Sequence, residues 1–268
     1  MNQQPQMGWQ VPVIQTATGW VATVGINPGA LVLREAPLVT LPRPYDNNQL
    51  SLALGQLNVQ LAAAYRQLPA PRVGPNQDKT IFEYFALKFG DQLGVFAVAS
   101  QLSRSFGPNL SRHWTGQFLE IRASRRIQAN QELLSAPFSI RALLQPHVGC
   151  VRSSDWHSIQ PKPQCESCVT VSNEESAVIR AKLAEILLGQ GSPKPPIQRL
   201  LSAIQWVNAE HLECFKNDLL YRLYLEYKDQ GDRSNAMLYL REAILQTEHL
   251  IGTEDIRVQH LHNELATL

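Results

Sequence analysis

The chain has little of the chemistry that would place it in several large protein classes. Four cysteines in 268 residues are too few for the disulfide framework of a secreted domain. The net charge of +1 gives no reason to expect nucleic acid or an acidic membrane as a partner. No apolar run approaches the ~20 residues of a membrane-spanning helix, and residues 1–8 lack the apolar stretch of a signal peptide. We therefore expect an intracellular protein, cytoplasmic or nuclear, with no nucleic-acid or membrane partner.

Familiar catalytic motifs are equally scarce. The sequence offers no Ser-His-Asp set, no paired carboxylates, no phosphate-binding glycine loop and no His-x-x-x-His pattern. This argues against hydrolytic chemistry. A hydrophobic content of 44% is nevertheless enough for a chain of this length to bury a real core.

Short β-branched runs separated by turn residues predict strands in the first third of the chain, and helical periodicity interrupts them at about 48–90. Strands return at 117–123 and 131–134, and five helical segments follow residue 173. The sequence thus predicts an α+β protein with a β-rich domain of small sheets at 1–145, a loop at 146–172 and a helical region at 173–268.

Two helices in the C-terminal region form one hairpin unit, from Leu219 to Ile251, around the Asp-Gln-Gly-Asp turn. Apolar residues at 236, 239, 240, 243 and 244 make its inner stripe. The pattern is typical of a tetratricopeptide-type unit. Because one such unit is too short for a solenoid, we expect it to pack against the β-rich domain.

Four separate segments carry a resemblance to one family. The run Ser103-Arg104-Ser105-Phe106-Gly107-Pro108-Asn109, followed by His113-Trp114, resembles the G-I-F-P-x-x-S-R-x-N-H-S-C-x-P-N signature of SET-domain proteins. Residues 17–31 resemble the family's opening G-x-G-L-F-A-x-x-x-I-x-x-G-x-L, and 118–134 its L-x-x-x-A-x-R-x-I-x-x-G-E-E-L. The Gly-Thr-Glu-Asp run at 252–255 is similar to the helical tail. In this order, the segments resemble fungal SET-domain proteins related to the SET-and-MYND lysine methyltransferases, without a MYND module.

This resemblance implies a site for S-adenosylmethionine, which the sequence alters. The first glycine of G-x-G is Ala17, the second is Gly19, and the Asn-His pair that binds the cofactor is Ser103-Arg104. An arginine places a cation beside the sulfonium, and like charges ~4 Å apart cost about 4 kcal/mol at an effective dielectric of ~20. We expect no cofactor; if S-adenosylmethionine does bind, Ala17, Gly19 and Ser103 would hold it.

Two further features implied by the family are also changed. The channel tyrosine falls at Pro137, beside Phe138, and neither residue has a hydroxyl. The zinc site needs a motif cysteine, which is Phe106 here, and a later C-x-C-x-x-C that keeps only two of its three cysteines. The segment 146–172 is therefore a degenerate post-SET loop, and we expect no metal. The alternative is a site formed by Cys150, His157, Cys165 and Cys168.

These replacements predict a cleft adapted to another use. An apolar cavity with a few convergent polar groups is the usual form of a small-molecule site. Ser103, Arg104 and Ser135 are the candidate catalytic residues. The predicted pocket wall comprises Trp20, Phe106, His113, Trp114, Pro137 and Phe138. The alternative is that the aromatic residues only fill the vacated cleft. Arg122, Arg125 and Arg126 alternate with apolar residues and are interpreted as a solvated strand edge and turn.

Three functions of different class remain open. The leading hypothesis is a cofactor-independent protein of natural-product biosynthesis that binds a small organic molecule, and that could cyclise or rearrange it by shape and hydrogen bonding. The second is a non-catalytic scaffold whose helical tail binds a protein partner. The third is a divergent S-adenosylmethionine-dependent lysine methyltransferase.

Calorimetric titration of S-adenosylmethionine and S-adenosylhomocysteine into the purified protein tests the third hypothesis. We expect no detectable heat, because Arg104 opposes the sulfonium and Ala17 crowds the cofactor backbone. Binding at micromolar strength or better would instead restore methyl transfer as the leading function.

Overall fold

The computed structural model describes residues 8–17, 19–69, 76–105, 107–136, 174–188 and 195–268. Small sheets, most of them antiparallel, occupy the N-terminal half, and helices make up the C-terminal half, which confirms the predicted mixture of α and β structure. The strands are β1 (Gly8–Trp9), β2 (Val13–Thr16), β3 (Gly19–Ala22), β4 (Leu31–Glu35), β5 (Val39–Pro42), β6 (Leu87–Phe89), β7 (Gln92–Val95), β8 (Ser103–Arg104), β9 (Leu110–Trp114), β10 (Leu119–Ala123) and β11 (Leu134–Ser135). The helices are α1 (Asn47–Gly55), α2 (Val59–Arg66), α3 (Gln77–Phe85), α4 (Glu174–Leu187), α5 (Ile197–Ala209), α6 (Lys216–Asp229), α7 (Arg233–Ile251) and α8 (Ile256–Thr267).

The main sheet has four strands in the order β1-β4-β10-β9, with every neighbouring pair antiparallel. Strand β10 lies between β4 and β9, so that Leu119 faces Glu35 on one side and Trp114 on the other. Apolar residues of these strands, including Leu33 and Ile121, are fully buried in one core cluster. The hairpin β2-β3 lies beside this core, and Trp20 packs against it from a partly buried position.

A second core joins helices α1–α3 to the sheet β5-β7-β6. The helices begin at capping residues that the sequence supplies: Asp46 and Gln49 form a reciprocal capping box, and Asn58 and Asn76 each accept a backbone N–H. The predicted helical run to Phe89 is wrong at its end. The helix stops at Phe85, and Leu87–Phe89 pairs with β7 as a strand across the tight turn at Gly90.

Residues 103–105 and Asn109 are held against residues 132–135 by a dense set of hydrogen bonds. Strands β8 and β11 pair in parallel, and the backbone N–H of Ser105 donates to the carbonyl of Ser135. Asn109 is fully buried and uses both ends of its amide: Oδ1 accepts from the N–H of Leu134 at 2.7 Å, and Nδ2 donates to the carbonyl of Glu132 at 2.8 Å. The asparagine thus satisfies two backbone groups of the facing segment, where the N–H of Leu134 is buried.

The helical region behaves largely as the periodicity predicts. Helices α6 and α7 form the predicted hairpin, with Ala236, Leu240 and Ala243 buried, and α7 contacts β9 and β10, which confirms the predicted packing against the β-rich part. The helical pattern of the sequence predicts a helix over 209–228, but this helix begins at Lys216, because His211 adopts a positive φ of 55° just after the end of α5. Among the described helices, none has the length and apolar character needed to cross a membrane.

Glu35 is fully buried at the end of β4, where it caps the short 3-10 turn Ala99–Gln101. Its two carboxylate oxygens accept the backbone N–H groups of Val98 and Ala99, each at 2.9 Å. Burial raises the pKa of Glu35 to about 7, while these backbone donors oppose that rise. One side chain thus joins the main sheet to the segment that leads into β8.

Replacing Glu35 with glutamine should destabilise the fold by about 1–3 kcal/mol at about pH 8. The amide NH₂ cannot accept a hydrogen bond, so one of the two buried backbone N–H groups loses its partner. Urea denaturation measures the change. The exposed Glu242→Gln on α7 is the matched control, expected to stay within about 0.5 kcal/mol of the parent; equal stability of both variants would contradict the capping role.

Candidate functional site

A cavity of about 710 Å³ lies between the main sheet and the turn that joins α7 to α8. This size falls within the range of small-molecule sites. We call it the larger chamber. Polar side chains are prominent in its lining, and its ionisable residues are Arg34, His113, Glu120, Arg122, Glu248, His249, Glu254 and Asp255.

Close backbone contacts position the α7–α8 turn over the sheet. Arg122 on β10 donates from Nη1 to the carbonyl of Gly29 at 3.1 Å and from Nη2 to Glu120 Oε2 at 2.9 Å. Gly252 has a φ of 89°, and a Cβ there would lie 2.7 Å from Arg122 Nη2. The hydroxyl of Ser111 donates to the carbonyl of Leu250 at 3.1 Å. Glycine is therefore favoured at 252 by its backbone conformation, and a side chain there would also force Arg122 to shift.

His113, at the end of β9, is held between two side chains of the α8 N-terminus. Its Nε2 lies 3.0 Å from Asp255 Oδ2, and its Nδ1 lies 3.1 Å from Arg257 Nη2. A guanidinium group only donates, so Nδ1 must accept from Arg257 and Nε2–H must donate to Asp255. The geometry therefore defines a neutral imidazole in its Nε2–H tautomer.

The charges around this contact agree with a neutral ring. Burial and the neighbouring Arg257 lower the pKa of His113, and Arg122 acts in the same direction, against the opposing effect of Asp255 and Glu120. The hydrogen bonds from Arg257 hold the pKa of Asp255 at about 2. The site therefore presents a permanent carboxylate, a permanent guanidinium and an uncharged histidine at neutral pH.

A second cavity of about 360 Å³, the smaller chamber, adjoins the larger one and shares His113, Trp114 and Ile251 with it. The smaller chamber differs in charge: the ionisable side chains that line it, besides His113, are the cations Lys88, Arg112 and Arg257. Its wall also contains an aromatic pair, because Trp114 stacks on Phe89 with ring centroids 4.3 Å apart.

Arg104 lines neither chamber, but it is a buried cation whose charge interacts with that of Arg112. It is only 5% exposed, and burial together with the charge of Arg112 lowers its pKa to about 9. Burial likewise lowers the pKa of Arg112 to about 10, and Arg112 donates to the carbonyl of Ala136 at 3.4 Å. Both guanidinium groups remain charged at neutral pH and act on each other at short range.

The three candidate catalytic residues lie together on the β8–β11 pair. Ser103, Arg104 and Ser135 are all buried, and none of them lines either chamber. Ser103 donates to Glu132 Oε1 at 2.6 Å. Both side chains lie close to Gly19. A Cβ at that position would lie 2.5 Å from Glu132 Oε1 and 2.7 Å from Ser103 Oγ. The catalytic role of this group stays a prediction.

The remaining candidate residues are divided between two locations. Ala17 is exposed in the β2–β3 turn, Trp20 contacts Trp9 with ring centroids 4.9 Å apart, and His113 and Trp114 line both chambers. The other members of the predicted pocket wall and metal set lie outside the described residues: Phe106, Pro137, Phe138, Cys150, His157, Cys165 and Cys168. Within the ranges that are described, no cluster of three metal-ligating side chains occurs.

Several lining residues escaped the sequence analysis. Asp255 ends the run at 252–255, which was noted only for its resemblance to a helical tail, and Arg257 lies two residues beyond it, although an aspartate after a glycine turn is a typical helix N-cap. The interpretation of Arg122 as part of a solvated strand edge is wrong, because β10 is an interior strand and its side chain is turned toward Gly29. Whether an arginine on a strand is buried depends on the position of that strand in the sheet, and the sequence pattern does not show that position.

No protein-family model matches this chain, and no curated protein matches its sequence. A functional proposal for the protein therefore depends on the geometry of the two chambers and on the motif resemblance.

Lowering the pH should weaken the packing of α8 on β9. A histidine whose pKa falls on folding stabilises the fold fully above its unfolded pKa of about 6.5, and this contribution is lost as the pH falls through that value toward the folded pKa. Protonation of His113 removes the acceptor for Arg257, which should cost about 0.5–1.5 kcal/mol.

Urea denaturation at about pH 7.5 and about pH 5.5 measures this effect. The parent protein should lose more unfolding free energy over this interval than His113→Gln, in which His249, whose pKa burial also lowers, still titrates. Replacement of the exposed His260 with glutamine is the control and should leave the parental pH dependence intact. The same loss in all three proteins would show that His113 is not the titrating group.

Proposed function

We propose that the protein binds a small polar organic molecule in the two adjoining chambers between the main sheet and the α7–α8 turn. The main support for this proposal is that His113 and Trp114 line both chambers. They present a neutral imidazole in a fixed orientation and an indole to a ligand in either chamber. An aromatic surface with a few oriented polar groups is the combination that small-molecule sites use for affinity and orientation.

We further propose that the protein is SET-like, with a tetratricopeptide-like helical region. Support comes from the order of the resembling segments and from the way residues 103–109 are tied to residues 132–135 in the region of greatest resemblance. The α6–α7 hairpin, with its buried inner stripe, supports the second assignment.

Lysine methyl transfer is the less favoured function. Arg104 is one of the several sequence changes that oppose it, and this residue is buried, within the electrostatic influence of Arg112, rather than turned to solvent. The face of Gly19, which the resemblance would assign to the cofactor, is covered by Ser103 and Glu132. Two cations and a filled glycine face are a poor environment for a sulfonium.

The chambers supply binding and orientation. Asp255 and Arg257 hold the imidazole of His113 in one tautomer and at one angle, so the ring meets a ligand as a fixed polar surface. Preorganised groups of this kind lower the cost of ordering a flexible molecule. A cofactor-independent rearrangement or cyclisation of the bound molecule is the reaction class that such a shaped site would favour.

Ligand-detected NMR titration with phenylacetate, phenylethanol and phenethylamine tests the proposal. We expect at least one of these probes to bind saturably to the full chain. Thr253→Trp, at an exposed position that lines the larger chamber, should weaken that binding about fivefold or more by filling the space.

Thr267→Trp on α8 is the matched control, because it adds the same indole at an exposed position outside both chambers. Circular dichroism and the melting temperature establish that both variants are folded. No binding of any probe would overturn the proposed site, and saturable binding that both variants retain equally would overturn the larger chamber as part of that site.

A further inference from the structure

We propose that the smaller chamber is an anion subsite that binds the carboxylate of an aromatic ligand. This inference rests on the proposed function, and it assigns a chemical class to the ligand of that site. The subsite consists of Lys88, Arg112 and Arg257 around the aromatic wall of Trp114 and Phe89.

The two chambers differ in the charge of the side chains that line them. The larger chamber has four carboxylates in its lining against two arginines, whereas in the smaller one the three charged side chains among the described residues are all cationic. Since His113 is neutral between them, the change of sign occurs across a single residue. A ligand that lies across this boundary is oriented by its charge.

Two guanidinium groups add to this positive potential. The charge of Arg112, which lines the chamber, acts on the buried Arg104 and, together with burial, lowers the pKa of Arg104. An anion in the chamber would be attracted by both charges in surroundings that water screens poorly. Guanidinium groups are also the side chains best matched to a carboxylate.

The carboxylate of Asp255 pairs with one cation of the subsite, Arg257, from outside the smaller chamber. Its side chain is paired with Arg257 Nε at 2.8 Å and with His113 Nε2 at 3.0 Å, on the side of the imidazole that faces the larger chamber. It therefore neutralises part of the charge of Arg257, and Lys88 and Arg112 add to the positive potential of the subsite. Lys88 is exposed on β6, between the buried Leu87 and Phe89, where an entering ligand would meet it.

The aromatic wall of the smaller chamber indicates that the rest of the ligand is an aromatic ring. Phe89 and Trp114 are fixed by each other and by Phe96, which contacts both rings. A rigid aromatic wall next to cations favours a planar ring that carries its negative charge one or two bonds away. A saturated anion such as acetate would use only the cations, and a neutral aromatic would use only the wall.

The experiment compares phenylacetate, phenylethanol, phenethylamine and acetate by ligand-detected NMR titration of the full chain. We expect phenylacetate to bind about tenfold more tightly than phenylethanol and acetate, and phenethylamine to bind most weakly. Lys88→Glu should lower the affinity for phenylacetate about tenfold and leave phenylethanol unchanged, because charge reversal acts only on a charged probe. Lys79→Glu, on the exposed face of α3, is the matched control and should change neither affinity.

The outcomes separate this inference from the proposed function. If phenylethanol or phenethylamine binds in a manner that Thr253→Trp weakens, but phenylacetate has no advantage, the anion subsite is wrong and the small-molecule site stands. If acetate binds as tightly as phenylacetate, the aromatic part of the inference fails. Equal effects of Lys88→Glu and Lys79→Glu would place the anion elsewhere on the surface, and a lack of binding by every probe would overturn both proposals.

Discussion

The site depends on one close approach, that of the α7–α8 turn to β10. Gly252, with its positive φ, comes so near the guanidinium group of Arg122 that a side chain there would force the arginine to shift, and Arg122 in turn binds the carbonyl of Gly29. If the turn lay further from the sheet, Asp255 and Arg257 could not reach His113, and the two chambers would merge with solvent. The chemistry of the site thus follows from a packing constraint between an arginine and a glycine.

Much of the secondary structure is readable from the sequence, because local rules decide it. The capping residues before α1, α2 and α3, the inner stripe of α7 and the turn glycines all act over a few residues. The exceptions have local causes that periodicity does not reveal. Leu87–Phe89 continues an aromatic helical stripe but gains a strand partner across Gly90, and His211 interrupts a helix with a positive φ.

The candidate site was much less predictable than the fold. His113 and Trp114 stand out in the sequence as an aromatic strand end, and both line the chambers. Asp255, the partner of His113, lies more than a hundred residues away, and the pair forms only because α7 packs across β9. From the sequence, the polar groups of the site were predicted to be Ser103, Arg104 and Ser135, because local motifs do not reveal such distant pairs.

The bond from Ser111 to the carbonyl of Leu250 joins residues 139 positions apart. Such a long-range contact forms late in folding, because the entropy cost of closing a large loop must be met before the contact stabilises the chain. Strands β9 and β10 can pair as soon as residue 123 has left the ribosome, while the walls of both chambers are completed only after Arg257 has been synthesised. A nascent chain therefore holds a paired sheet well before it holds a binding site.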